Sequence, residues 1–179
     1  MQLLRSTIAV ATIVLLFTPA AYAGDVANFY ATLKTLDGIW QGVVTTDSPQ
    51  SGFDGKTIRV KLRLTSSGHA IVHEMREAGA PETPDHLGDI TIFYLDGDHL
   101  MAEHFCDADN RPLMEAVPSP DPETIKFDLI SINGNLQFGY IHDAAFKVIA
   151  PDHHTENWTY IFPGNKSIQV HFDLQRVNP

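Results

Sequence analysis

Nine histidines lie along this chain, and several fall at alternating positions of strand-like segments. In the segment that ends at Cys106, His104 has the parity of Leu100 and Ala102. Further on, His142 has the parity of Phe138 and Tyr140, and His154 that of Glu156, Trp158, Tyr160 and Phe162. Period-2 geometry places each set on one face of a strand. Glu74 and His73 are neighbours of opposite parity in an earlier segment, so only one of them can face inward. Imidazoles and a carboxylate on inward faces allow three chemistries. One is a buried polar network that fixes register. Another is a patch that orients a mostly apolar ligand, drawing on His104, His142, His154, Glu156, Trp158, Tyr140 and Glu74. The third is a metal centre of zinc or iron type with His104, His142 and His154 or Glu156 as ligands and a position open for water. Their spacing matches no short metal motif.

Other polar residues are less directive. Cys106 shares the parity of His104, but a Cys–His nucleophile needs an orienting third group and an oxyanion hole, and the sequence supplies neither. It reads as an inert thiol. Arg111 sits in a polar turn with Asp107, Asp109 and Asn110, either in a surface ion pair or as a rim residue that touches ligand. That turn lacks the Gly and Glu of a calcium loop. No phosphate cradle, nucleophile elbow or Cys-x-x-Cys is present.

The elements that must position these groups are mostly strands. Residues 1–23 have the form of a secretory leader: Arg5, an apolar run from Ile8 to Phe17, a break at Pro19 and the small-x-small pattern Ala21-Tyr22-Ala23. Residues 24–179 then form one domain, expected outside the cytoplasm and in a bacterial periplasm, without stable membrane insertion after cleavage. The net charge is −10, and no basic cluster offsets it, which disfavours nucleic acid as a partner. With one cysteine, no disulfide can form within the chain. Asp25 to Leu36 reads as a helix with Val26, Phe29, Tyr30, Leu33 and Leu36 on one stripe. After it the period changes to 2. Strands are expected over 39–46, 57–65, 70–77, 89–95, 100–106, 113–116, 124–132, 136–142, 155–162 and 167–177, with 146–150 a loop or short strand. About nine or ten strands in nearly sequential hairpins give an all-β, up-and-down antiparallel barrel with a short N-terminal helix. A β-sandwich is the alternative.

Gly38-x-Trp40 follows the helix directly, and Arg176 lies on the final strand. A guanidinium on an indole face can join the first strand to the last, which makes Gly38, Trp40 and Arg176 structural residues. Leu36-Asp37-Gly38-Ile39-Trp40-Gln41-Gly42, the even hairpins and Arg176 resemble the calycin superfamily of lipocalin-like barrels. The stretch from Leu95 to Cys106, with Asn110-Arg111-Pro112 and Met114, resembles an exported bacterial family of unassigned function. The resemblance implies an internal cavity for a small apolar or amphipathic ligand. In outline the chain is also similar to haem-binding nitrobindin-like barrels, but it lacks their Gly- and Tyr-Pro-rich first-strand signature. The function expected is therefore small-molecule binding. The alternatives are a His/Glu-based hydrolase or isomerase, with or without a metal, and a structural module with a filled interior. The sequence assigns no cofactor and no oligomeric state.

Overall fold

The computed structural model describes residues 19–81, 83 and 88–177, with backbone only for residues 19–24. Residues 1–18 of the expected leader lie outside the described residues. Alternating apolar residues build ten strands: β1 (Gly38–Thr46), β2 (Thr57–Thr65), β3 (Ala70–Glu77), β4 (Asp89–Asp96), β5 (His99–Phe105), β6 (Asn110–Val117), β7 (Thr124–Gly134), β8 (Tyr140–Ala150), β9 (His153–Phe162) and β10 (Lys166–Val177). Each pairs antiparallel with its neighbours in sequence, and β1 pairs with β10. The sheet is therefore a closed up-and-down barrel, not a sandwich. Closure leaves no ladder unpaired for a foreign strand.

Helix α1 (Pro19–Thr35) packs across one end. Its stripe of Val26, Tyr30, Leu33 and Leu36 is buried in the core. The Tyr30 hydroxyl donates to the Gly68 carbonyl in the β2–β3 turn at 3.1 Å. The helix starts before the expected Asp25, so the expected cleavage point after Ala23 falls within it. At this end Arg176 sits opposite Trp40 in the β1–β10 ladder, with Cζ 4.1 Å from the ring centroid. The guanidinium also donates to the carbonyls of Asp37 (2.6 Å), Thr35 (3.0 Å) and Pro151 (3.1 Å). Trp40 Nε1 donates to the Leu36 carbonyl at 2.7 Å. Gly38 has φ +142°, and a Cβ there would collide with the Arg176 guanidinium, so the position demands glycine. The β1–β2, β3–β4, β5–β6, β7–β8 and β9–β10 connections lie at the opposite, open end.

The eighth strand departs from expectation. Leu136 to His142 alternates like a strand, yet β8 begins at Tyr140 and continues to Ala150, through the segment expected as a loop or short strand. Leu136 and Phe138 are exposed. Two register breaks interrupt β8, between Ile141 and Asp143 and between Val148 and Ala150. At the first, His142 is the extra residue and has no partner. A bulge of one residue reverses parity beyond it. The inward face therefore runs Ile141, Ala144, Phe146, all buried, and His142 is exposed.

Candidate functional site

Strand β9 places His154, Glu156 and Trp158 inward, each 0–1% exposed. Across the barrel, β3 does the same with Ile71, His73 and Met75. The result is one carboxylate surrounded by donors. Nε2 of His73 lies 3.1 Å from both Glu156 oxygens, Nε2 of His154 lies 3.0 Å from Oε1, and Trp158 Nε1 donates to Oε2 at 2.9 Å. Phe93 and Phe146 stand edge-on to His73, and Trp40 edge-on to His154. Burial pushes the Glu156 carboxyl up, but the attraction of His73 and the hydrogen bonds from His154 and His73 outweigh it and hold the group well below the usual carboxylate range. Nδ1 of His73 and Nδ1 of His154 have no partner. The carboxylate itself is fully engaged, and the cluster is sealed from solvent. It has the form of a buried polar network, not of an open acid–base pair.

A second polar group lies toward the open end. His104 on β5 faces Thr91 on β4, with Nδ1 2.8 Å from Thr91 Oγ1. Its other nitrogen, Nε2, is buried and has no hydrogen-bond partner; the nearest carboxylate oxygen, Asp89 Oδ2, is 3.9 Å away. Burial, with a contribution from His73, lowers the His104 imidazole to about 3, so it is neutral. Burial raises the Asp89 carboxyl to about 6, against a hydrogen bond from the Asp107 backbone N–H at 2.8 Å. The Cys106 thiol is pushed up to about 12 by burial and by the neighbouring Asp89. The Tyr160 hydroxyl is raised well above its usual value by burial and then by Asp89, Cys106 and Asp107.

The open end holds a cavity of about 610 Å³ that this second group borders through Asp89 and Tyr160. Val44, Ile58, Met75, Val170 and Phe172 make its apolar wall. Phe53, from the β1–β2 connection, stacks against Tyr160 at 6.3 Å. Lys56 and Glu77 pair at 2.8 Å on its polar side, near Arg76 and Asp107. Gly88 (φ +75°) lets the chain pass close to β3, because a Cβ there would collide with the Met75 carbonyl. That close approach sets where Asp89 begins β4.

The structure places the residues singled out from sequence in two groups. His104, His154, Glu156 and Trp158 are inside, and none of them is on the cavity wall. His142 is corrected to the outer surface by the bulge, where it meets Asp143. Tyr140, before the bulge, pairs with Ile161 and is half-buried. Glu74 points outward to Arg63 at 3.8 Å, and His73 takes the inward place. Arg111 is exposed on β6, because that strand starts earlier than expected. With His142 outside, His104, His142 and His154 do not surround a common point. Asp89, Thr91 and the cavity wall were missed. The shared parity of Asp89, Thr91 and Phe93 was the signal available for the first two. Among the described residues no histidine lines the cavity, so a haem held by a proximal imidazole has no axial nitrogen there.

Comparison with known proteins addresses the fold. No protein-family model matches the chain. No curated protein matches it. Among solved structures, Rv2717c from M. tuberculosis superposes with a TM-score of 0.62 at 11% identity, over 83% of this chain and 96% of that one. A protein of unknown function from the DUF3598 family of Nostoc punctiforme superposes with a TM-score of 0.54 at 14% identity, over 81% of this chain and 48% of that one. Both share the fold seen here, a closed antiparallel up-and-down barrel. Bovine odorant binding protein, solved with a selenium-containing odorant, also matches, with a TM-score of 0.34 at 11% identity over 82% of this chain and 73% of that one.

Proposed function

We propose that this lipocalin-like barrel is an exported protein that binds a small apolar or amphipathic molecule at its open end. The observation that carries this reading is the cavity of about 610 Å³, walled by apolar side chains from β1, β2, β3 and β10 and bordered by Asp89 and Tyr160. Volume and lining fit the usual small-molecule site, in which carbon burial gives affinity and a few polar groups give orientation. The ligand seat is thus moved from the Glu156 cluster, where every carboxylate oxygen already accepts hydrogen bonds, to the rim. A hydrolase or isomerase built on His154 and Glu156 is not favoured, since both side chains are 0% exposed. Export rests on the form of residues 1–23. Among the described residues no helix is long and apolar enough to cross a membrane.

Native mass spectrometry of protein purified from its own host tests the binding, together with titration of an environment-sensitive apolar dye. The expected result is a co-purifying small molecule, or saturable dye binding that Met75→Trp abolishes without lowering the melting temperature. Dye binding that survives this filled cavity, or no binding by the wild type, overturns the reading. Intact mass of the exported protein tests the leader, with a mature chain beginning at Gly24 as the expected result.

A further inference from the structure

We propose that Asp89, His104 and Cys106 form a site for a divalent transition ion of the zinc class at the inner edge of the open-end cavity. One carboxylate oxygen, one imidazole nitrogen and the thiol sulfur lie within 4.8 Å of one another. The register explains the convergence. Thr91 pairs with His104 and Ile90 with Phe105, so the next step of the same ladder sets Asp89 against Cys106. All three side chains project to one side of a two-strand ribbon.

The unpartnered imidazole nitrogen is the independent observation. His104 is 0% exposed, yet Nε2 has no hydrogen-bond partner. Its gap of 3.9 Å to Asp89 Oδ2 is too long for a hydrogen bond. Thr91 Oγ1 holds Nδ1 at 2.8 Å and fixes the ring. With the proton on Nδ1, donated to Thr91, the Nε2 lone pair points toward a carboxylate. Two electron-rich atoms facing each other in a buried place call for a cation between them. A hydroxyl or carbonyl that holds the far nitrogen is also the usual support of a metal-bound histidine.

The donor set selects the ion. Sulfur with imidazole suits zinc-like ions, whereas calcium and magnesium take oxygen cages. Bonds of about 2.0–2.3 Å to zinc put ligand atoms roughly 3.3–3.8 Å apart, so separations of up to 4.8 Å must close by about 1–1.5 Å, a side-chain adjustment shared among the three groups. Coordination replaces the thiol proton, which leaves to solvent. Thiolate and carboxylate then balance the dication. The thiol now donates to Asp107 Oδ1 at 3.7 Å, a weak contact to give up, and its sulfur accepts from the Ala108 backbone N–H, a contact that a thiolate keeps. Asp89 also lines the cavity, so the remaining coordination position faces the space where a ligand or water would sit.

Untagged protein, stripped by a chelator, is titrated with zinc by calorimetry and with cobalt by absorption spectroscopy. One ion per chain is expected, and the cobalt form should show a thiolate-to-metal charge-transfer band. Cys106→Ser should remove that band and weaken zinc by at least about tenfold, while Thr91→Val, which keeps all three ligands, should weaken it about 10- to 100-fold. Thermal melts establish that both variants are folded. The proposal is overturned if the wild type takes up no ion, if bound cobalt shows no thiolate band, or if folded Cys106→Ser binds zinc as tightly as the wild type, which would assign the ion to surface histidines. Dye binding by the metal-free protein is read separately, so failure here leaves the ligand reading standing, and the reverse also holds.

Discussion

At the scale of single residues, the Glu156 carboxylate carries the largest concentrated stake. Two imidazoles and an indole aim hydrogen-bonding nitrogens at it inside a core of Phe93, Phe146 and Trp40. Neutralising one partner of such a buried group strands the others, at a cost of about 3 kcal/mol or more. Glu156→Gln is therefore expected to lower chemical-denaturation stability by roughly that amount at neutral pH. The pH dependence follows from the depressed carboxyl. A folded-state value below the unfolded value, about 4.3, supplies stability that is fully present above that pH and is lost as pH falls toward the folded value. Wild-type stability should thus decline steadily below about pH 4.3, with a flatter acid limb in Glu156→Gln. Parallel acid limbs in the two proteins would contradict this account. Arg176 is the matching case at the closed end. It donates to three carbonyls and covers Trp40. Arg176→Met keeps the stem but removes donors and charge, and should cost about 2–3 kcal/mol. Arg176→Lys should recover less than half of that in urea unfolding, because a point charge cannot reach three carbonyls at once.

At the scale of elements, β8 shows how little local sequence says about a bulge. His142 is the residue the ladder skips, so its removal leaves Ile141 and Ala144 on the inward face with regular alternation. Deleting His142 should change stability by no more than about 1 kcal/mol. Deleting Ala145, which pairs with Asn157, makes Ala144 and Phe146 adjacent and forces one of them outward. That deletion should unfold the barrel or cost more than about 3 kcal/mol, as read by thermal melting of the two variants. Equal tolerance of both would mean that the skipped position is misassigned. This contrast also marks what was legible beforehand. Clean alternation in β2 (Ile58, Val60, Leu62, Leu64) and β9 (His154, Glu156, Trp158) announced both strands and their inward faces, although Leu64, at the end of β2, is exposed. The Trp40–Arg176 pairing was legible because both ends of the chain carried it. Leu136, Phe138 and His142 misled, since exposed apolar residues in a connection mimic a strand, and alternation alone cannot mark an unpaired position. The open-end cavity was not legible either. Its wall gathers one or two residues from each of several strands, and only the closed ring brings them together.

Taken as a whole, the molecule has two unlike ends joined by a sealed middle. One end is filled by α1, with Leu33 at 0% and Tyr30 at 5% exposure. The other keeps a cavity whose outer wall includes Phe53, itself 42% exposed. Between them lies the aromatic layer of Phe93, Phe127, Phe146 and Trp158, with ring centroids 5.3–6.0 Å apart. Leu33 and Phe53 stand on opposite sides of this layer and share no contact, and effects at such separated sites add. Stability and binding should therefore be separable by position along the barrel axis. Leu33→Ala opens a void against the closed end and should lower stability by about 2–5 kcal/mol, with unchanged dye affinity wherever the protein is folded. Phe53→Ala removes half of the stack with Tyr160 and should alter stability by less than about 1 kcal/mol, yet weaken the dye about fivefold or more. Urea unfolding and dye titration on the same two variants give four numbers, and the expected pattern is crossed. If Leu33→Ala weakened the dye as strongly as Phe53→Ala did, the middle layer would have to transmit strain from end to end, and the cavity would be a property of the entire ring instead of its rim.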